Sequence, residues 1–224
     1  DALRASWPVT REYGKYYKPG REKVATGTST RFPPLKRISK PKTYTVRRRT
    51  STIVIDGNLE PGEWGGLDRD QAIVVEQEHM TGTKSTESGN YVWLLVDNDY
   101  LYVGVEHAPD PRRKGLPEDV SVVVHEWAIE TPIGQKTWWW EEGLPTGPLY
   151  VFSGRPKGDF TVHNLFGMPQ GVIGQLETSI EYKAKVIDAK QIHWTAEWRV
   201  PLSALNLDPL ETKRTRFSIG GTKR

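Results

Sequence analysis

The 224-residue chain contains no cysteine. Disulfides, thiolate nucleophiles and cysteine-ligated zinc are therefore excluded, although the compartment is not fixed by this. No Asn-x-Ser/Thr acceptor occurs, which favours a bacterial over a secreted eukaryotic origin. No apolar run approaches the ~20 residues that span a bilayer. No basic-then-apolar leader opens the chain, so a targeting segment is expected to be absent or already removed. Motifs for catalysis are also missing. The five histidines form no H-x-x-x-H or H-E-x-x-H pair, no glycine loop carries the phosphate-binding pattern, and no Ser/His/Asp spacing stands out. Glu141 and Glu142 are adjacent, so in a strand they point to opposite faces and cannot flank one glycosidic bond. An enzyme is not expected.

Aromatic rings, by contrast, are plentiful: nine Trp and nine Tyr. Rings give large buried areas, and left exposed they make stacking surfaces. The net charge of +3 hides an asymmetry. Residues 1–50 hold 14 Lys/Arg against 3 Asp/Glu, and residues 51–224 hold 17 against 25. A basic arm thus precedes an acidic body. Such blocks are usually solvated tails, so nucleic acid is not expected as a partner. Residues 1–45 carry five prolines and three glycines with no persistent period, which predicts an extended, irregular arm. Its six rings, among them Trp7 and Tyr44, are expected to anchor it in part.

The body, residues 46–224, reads as short strands between turn signals. Its centre is Asn90–His107, two apolar runs around Asp97-Asn98-Asp99, the pattern of an antiparallel hairpin. Leu101, Val103 and Val105 share one face, Tyr102 and Gly104 the other. Tyr44–Arg47, Thr52–Ile55, Ala72–Gln77, Val120–His125, Trp138–Trp140, Leu149–Ser153, Leu176–Ile187, His193–Val200 and Arg216–Gly220 also read as strands. In His193–Val200, Trp194, Ala196 and Trp198 oppose Thr195, Glu197 and Arg199. Gly154–Gly174 reads as a loop, Pro201–Leu205 as one helical turn, and no helix of ordinary length is expected. The fold class is all-β, an antiparallel β-sandwich. Trp64, Trp93, Trp194 and Trp198 are expected in its core.

Four phrases carry a more specific signal. They are Ile55-Asp-Gly-Asn-Leu-Glu-Pro-Gly-Glu-Trp64, Leu94–Val105, Glu118-Asp-Val-Ser-Val-Val-Val124 and Trp194-Thr-Ala-Glu-Trp-Arg-Val-Pro-Leu-Ser-Ala-Leu205. In this order and spacing, over roughly residues 50–220, they resemble the family 9 carbohydrate-binding modules. The resemblance implies a β-sandwich with jelly-roll-like connections. It also implies non-catalytic sugar binding beside glycoside hydrolysis or polysaccharide degradation, a secreted, periplasmic or cell-surface location, and structural calcium in some members. Related sandwiches bind haem and carry electrons. The chain departs from the family in two places. Gly115–Glu118 lacks the tryptophan that family members place before the corresponding strand, and the family's second clamp tryptophan and final strand fall beyond Arg224. The family's sugar clamp therefore does not transfer to these positions. The final sheet edge, or the basic arm, becomes a place where a partner protein could pair.

Trp138, Trp139 and Trp140 form the candidate sugar surface. In a strand they alternate faces, so one ring at least is expected at the surface, offering a platform for a pyranose. Gln135, Glu141 and Glu142 could hydrogen-bond hydroxyls beside it, and Trp127 is a second platform. An oligo- or polysaccharide is the expected partner. Asp97 and Asp99 offer oxygen to calcium, although the spacing lacks the glycine and distal glutamate of an EF-hand and also fits a plain turn. Haem would need Met80 or Met168 with a histidine. With two methionines and no C-x-x-C-H it is not expected.

Overall fold

The computed structural model describes residues 44–75, 90–109, 115, 124–130, 149–163, 170–205, 207–208 and 216–222. Ten strands and one helix lie among them: β1 Arg47–Arg48, β2 Ile73–Val75, β3 Asn90–Val96, β4 Tyr100–His107, β5 Val124–Glu130, β6 Leu149–Gly154, β7 Phe160–His163, α1 Gln170–Ser179, β8 Glu181–Asp188, β9 His193–Pro201 and β10 Arg216–Thr222. A large sheet runs β1-β3-β4-β9-β8, with β2 also on β3. A small sheet runs β10-β5-β6-β7. All pairings are antiparallel except β1 with β3.

The Asn90–His107 hairpin is the middle of the large sheet. β3 and β4 pair from Asn90↔His107 to Val96↔Leu101. Asp97 closes the turn, its Oδ1 accepting from the Asp99 and Tyr100 amides at 2.9 and 2.7 Å. Strand alternation then sends Val92, Leu101, Val103, Val105, Trp194, Ala196, Trp198 and Val200 inward. There they meet Tyr150, Phe152 and Val162 of the small sheet, which makes the molecule a sandwich of two packed sheets. The core also takes in two histidines. His107 stacks on Trp194 with centroids 4.1 Å apart, and Trp198 Nε1 donates to His125 Nε2 at 2.8 Å. Burial depresses the His125 imidazole to about 3, so the ring is neutral.

Of the expected strand Tyr44–Arg47 only Arg47 is in β1, and two further sequence readings change. Gly154–Gly174 is not all loop. Phe160–His163 is a strand on β6, and Gln170–Ser179 is a ten-residue helix. Leu176–Ser179 is accordingly helix, not strand. Gly171 and Gly174 weaken the helical signal. Ile173 and Leu176 nevertheless lie on one face and enter the core, and the Thr178 and Ser179 hydroxyls donate back to the Gly174 and Gln175 carbonyls. The second change is Thr52–Ile55, which is extended but joins no sheet.

Thr52–Ile55 instead begins a layer over the outer face of the large sheet. Ile53, Trp64 and Ala72 pack there on Trp93, Leu95 and Tyr102, forming a second core. The floor under Trp64 is Gly104. A Cβ on Gly104 would lie 2.9 Å from both Leu59 Cδ2 and the Trp64 ring. That face of the sheet is thus roofed by the chain itself, which buries the residues alternation assigns to its polar side.

Candidate functional site

Two features share this roofed face. The first is a clasp. Glu197 points outward from β9 yet is fully buried under the roof. Its Oε2 accepts from the Asp56 and Gly57 amides at 3.0 and 2.8 Å, and its Oε1 accepts from Trp64 Nε1 at 2.9 Å. Two residues earlier on the same face, Thr195 Oγ1 donates to the Gly57 carbonyl at 2.6 Å. Gly57 has φ +88°, and a Cβ there would lie 2.7 Å from the Ala184 backbone of β8. The Asp-Gly turn, the tryptophan that follows it and the late Trp-Thr-Ala-Glu-Trp phrase are therefore parts of one hydrogen-bonded unit. Burial pushes the Glu197 carboxyl up to about 7, against the bonds from Trp64, Gly57 and Asp56 that favour its charged form.

The second feature is a pocket of about 330 Å³ beside the clasp, open to solvent. Leu59, Trp93 and Thr195 line it together with Arg69, Glu106 and His193. The Glu106 carboxylate is the hub. Arg69 Nη2 donates to Glu106 Oε1 and Oε2 at 3.1 and 3.3 Å. His193 Nε2 lies 3.2 Å from Glu106 Oε1, and since a carboxylate only accepts, the ring nitrogen donates. Arg69 also lies over the Tyr91 ring, 4.5 Å from its centroid. Trp93 Nε1 is held by the Asp68 carbonyl at 3.2 Å, which fixes the indole. Among the described residues the other guanidinium nitrogens of Arg69 have no hydrogen-bond partner. Asn58 stands at the rim, tied to Lys185 through its Oδ1 at 3.2 Å. The arrangement offers donors and an acceptor side by side over an apolar floor.

The residues expected to form a sugar surface are not brought into this pocket. Gln135, Trp138, Trp139, Trp140, Glu141 and Glu142 lie outside the described residues, as do Met80 and Met168. Trp127 is placed by its backbone alone, in β5 opposite Phe152 and Ile219. Asp97 is described in full. Besides its two amides it accepts from Arg49 Nε at 2.6 Å and from the Tyr102 hydroxyl at 3.0 Å, both at Oδ2. Burial opposes its ionisation, but the Arg49 bond and the bonds from Asp99, Tyr100 and Tyr102 together hold its carboxyl below the ordinary value. Arg49 and Tyr102 thus share Asp97 Oδ2, while Oδ1 holds the two amides of the turn. Among the described residues no three His, Asp or Glu side chains group as a metal site, and no helix is long and apolar enough to cross a membrane.

Arg69, Glu106 and His193 carried no sequence signal as a group. They come from a short 3-10 turn, β4 and β9: the β4–β9 register brings Glu106 and His193 together, and the outer layer adds Arg69.

No family model and no curated protein matches the chain. A solved structure does: a family 9 carbohydrate-binding module from Caldicellulosiruptor kristjanssonii in complex with glucose, at 14% identity and a TM-score of 0.49, over 80% of this chain and 76% of that one. A likeness of this size speaks to neither ligand nor site.

Proposed function

We propose that the chain is a non-catalytic carbohydrate-binding module, working outside the cytoplasm beside a polysaccharide-degrading system. The observation that carries this reading is where the rings go. Trp64, Trp93, Trp194 and Trp198 are each at most 3% exposed and fill the two cores. The chain's further indoles are Trp7, Trp127 and Trp138–Trp140, and four of these five belong to the expected sugar surface. In this reading a ring of Trp138–Trp140 is the platform, Trp127 a second one, and Gln135, Glu141 and Glu142 supply the directed hydrogen bonds. The clasp adds support from the folding side. It gives two of the four family 9-like phrases a common physical task in this chain.

Titration against plant and algal oligosaccharides tests the proposal. Binding that falls in Trp139→Ala, with the fold intact by circular dichroism, supports it. A folded wild-type protein silent across the panel overturns it.

One observation favours a second reading, an interaction module. Among the described residues β10 ends the small sheet, with β5 on one side only. An extended partner segment could add to that edge. Light scattering with and without residues 1–45 measures whether the arm takes part in such pairing, and unchanged mass in the truncated chain would remove this reading's support.

A further inference from the structure

Asp56-Gly57 is the one place in the sequence where an Asp or Asn precedes a Gly. That pairing is the least hindered for a spontaneous backbone reaction, because glycine has no side chain to shield its nitrogen. The Gly57 nitrogen attacks the side-chain carboxyl carbon of Asp56. A C–N bond forms, a C–O bond of the carboxyl breaks, and the amide proton leaves with that oxygen as water. Water then opens the succinimide ring at the carbonyl of the original peptide bond. The product is isoaspartate, in which the chain runs through the former side chain and gains one methylene. No electron is transferred, and water is the only co-reactant. Asp56 is exposed, so water reaches it.

Three contacts oppose the reaction in the folded chain. The Gly57 amide donates to Glu197 Oε2 at 2.8 Å inside the buried layer. Its nitrogen must give up that bond to attack, and the succinimide has no N–H to restore it. Asp56 Oδ1 accepts from the Asn58 amide at 2.8 Å, which holds the carboxyl on the next peptide unit. Thr195 Oγ1 pins the Gly57 carbonyl at 2.6 Å. The product fits no better. Even a Cβ on Gly57 would lie 2.7 Å from the Ala184 backbone, so a longer chain cannot sit there. Glu197 Oε2 would also lose one of its two amide donors.

We infer that Asp56-Gly57 is an isomerisation site that the Glu197 clasp keeps silent, and that local opening of the outer layer commits the chain to isoaspartate. A reaction of this kind proceeds at a rate set by the population of the open form. Once the methylene is inserted the turn cannot reseat on β8 and β9, so the change runs one way.

The test incubates the full chain in heavy-oxygen water. Isoaspartate is read by enzymatic isoaspartyl methylation and by heavy-oxygen uptake in the peptide that holds residues 56 and 57. Wild type should react faster by roughly tenfold or more in urea beyond its midpoint than when folded. Under native conditions Glu197→Ala should also gain roughly tenfold or more. Thr195→Val should gain less, and it keeps the test open if Glu197→Ala does not fold. Leu176→Ala cuts the main core and leaves the clasp intact, so at equal loss of stability it should gain least. Equal rates in folded and unfolded wild type overturn the inference. So does a slower reaction in Glu197→Ala, which would make the carboxylate a base that promotes attack. A gain in Leu176→Ala as large as in the clasp variants overturns it too, because the route would then be global unfolding.

Discussion

Trp64 Nε1 donates to Glu197 Oε1 at 2.9 Å across 133 residues of sequence, inside a layer that admits no solvent to either group. The same carboxylate holds the Asp56 and Gly57 amides. Glu197→Ala would leave three N–H groups facing a void. Each buried donor without its acceptor costs ~1–3 kcal/mol. A loss of at least ~3 kcal/mol is expected, read as a lower urea midpoint with an unchanged slope. A loss under ~1 kcal/mol would mean that the clasp is not what fixes the outer layer.

Two glycines test the same layer by crowding. At Gly57 a methyl meets the Ala184 backbone at 2.7 Å, and the φ of +88° is itself unfavourable for alanine. At Gly104 it meets Trp64 and Leu59 at 2.9 Å. Overpacking of this kind costs ~1–3 kcal/mol. Gly57→Ala is expected to cost more, because backbone yields less than side chains. Thermal melts of both variants check the order.

Stability should depend on pH through two buried groups of opposite sign. The Glu197 carboxyl is raised, from 4.5 to about 7. The folded state therefore binds its proton more tightly, and the stability it adds is complete below about 4.5 and lost as pH rises through about 7. The His125 imidazole is depressed, from 6.5 to about 3. Its contribution is complete above 6.5 and lost as pH falls toward 3. Each effect is of the order of ~3–5 kcal/mol at full extent. Between 4.5 and 6.5 the two slopes oppose each other. Glu197→Gln should remove the decline toward pH 7, and His125→Gln the decline toward acid, whatever each does to absolute stability. Urea melts across pH 3–8 measure both, and parallel curves for wild type and variants would refute the assignment.

Asp97 ties the central turn to the strand that enters the sheet. Asp97→Ala removes the bonds to Arg49 and Tyr102 and both amide contacts of the turn. The site is partly exposed, so the expected cost is modest, ~1–2 kcal/mol. Faster hydrogen exchange at Asp99 and Tyr100 would locate it, and protection unchanged at both amides would argue against the role.

What the sequence disclosed follows from how local each signal is. The Asn90–His107 hairpin and the His193–Val200 strand were readable because alternation needs only neighbouring residues. The same alternation assigned Trp194 and Trp198 to the core. The helix was hidden because Gly171 and Gly174 interrupt a short apolar stripe. Glu197 looked like a residue of a polar face, since nothing near it announces that residues 53–72 fold over that face. The Arg69–Glu106–His193 contact was illegible for a similar reason: strand pairing and the fold of the outer layer join residues 37 and 87 positions apart, and spacing along the chain does not record that.

The clasp also sets an order of synthesis. Residues 53–72 leave the ribosome long before Glu197, so Ile53 and Trp64 emerge without the carboxylate that seats them. Trp93, Leu95 and Tyr102 of β3 and β4 can receive its apolar side chains earlier, but the buried carboxylate that bonds its amides and indole comes only with β9. The outer layer is therefore completed last, when one acidic residue near the end of the body meets the Trp64 indole.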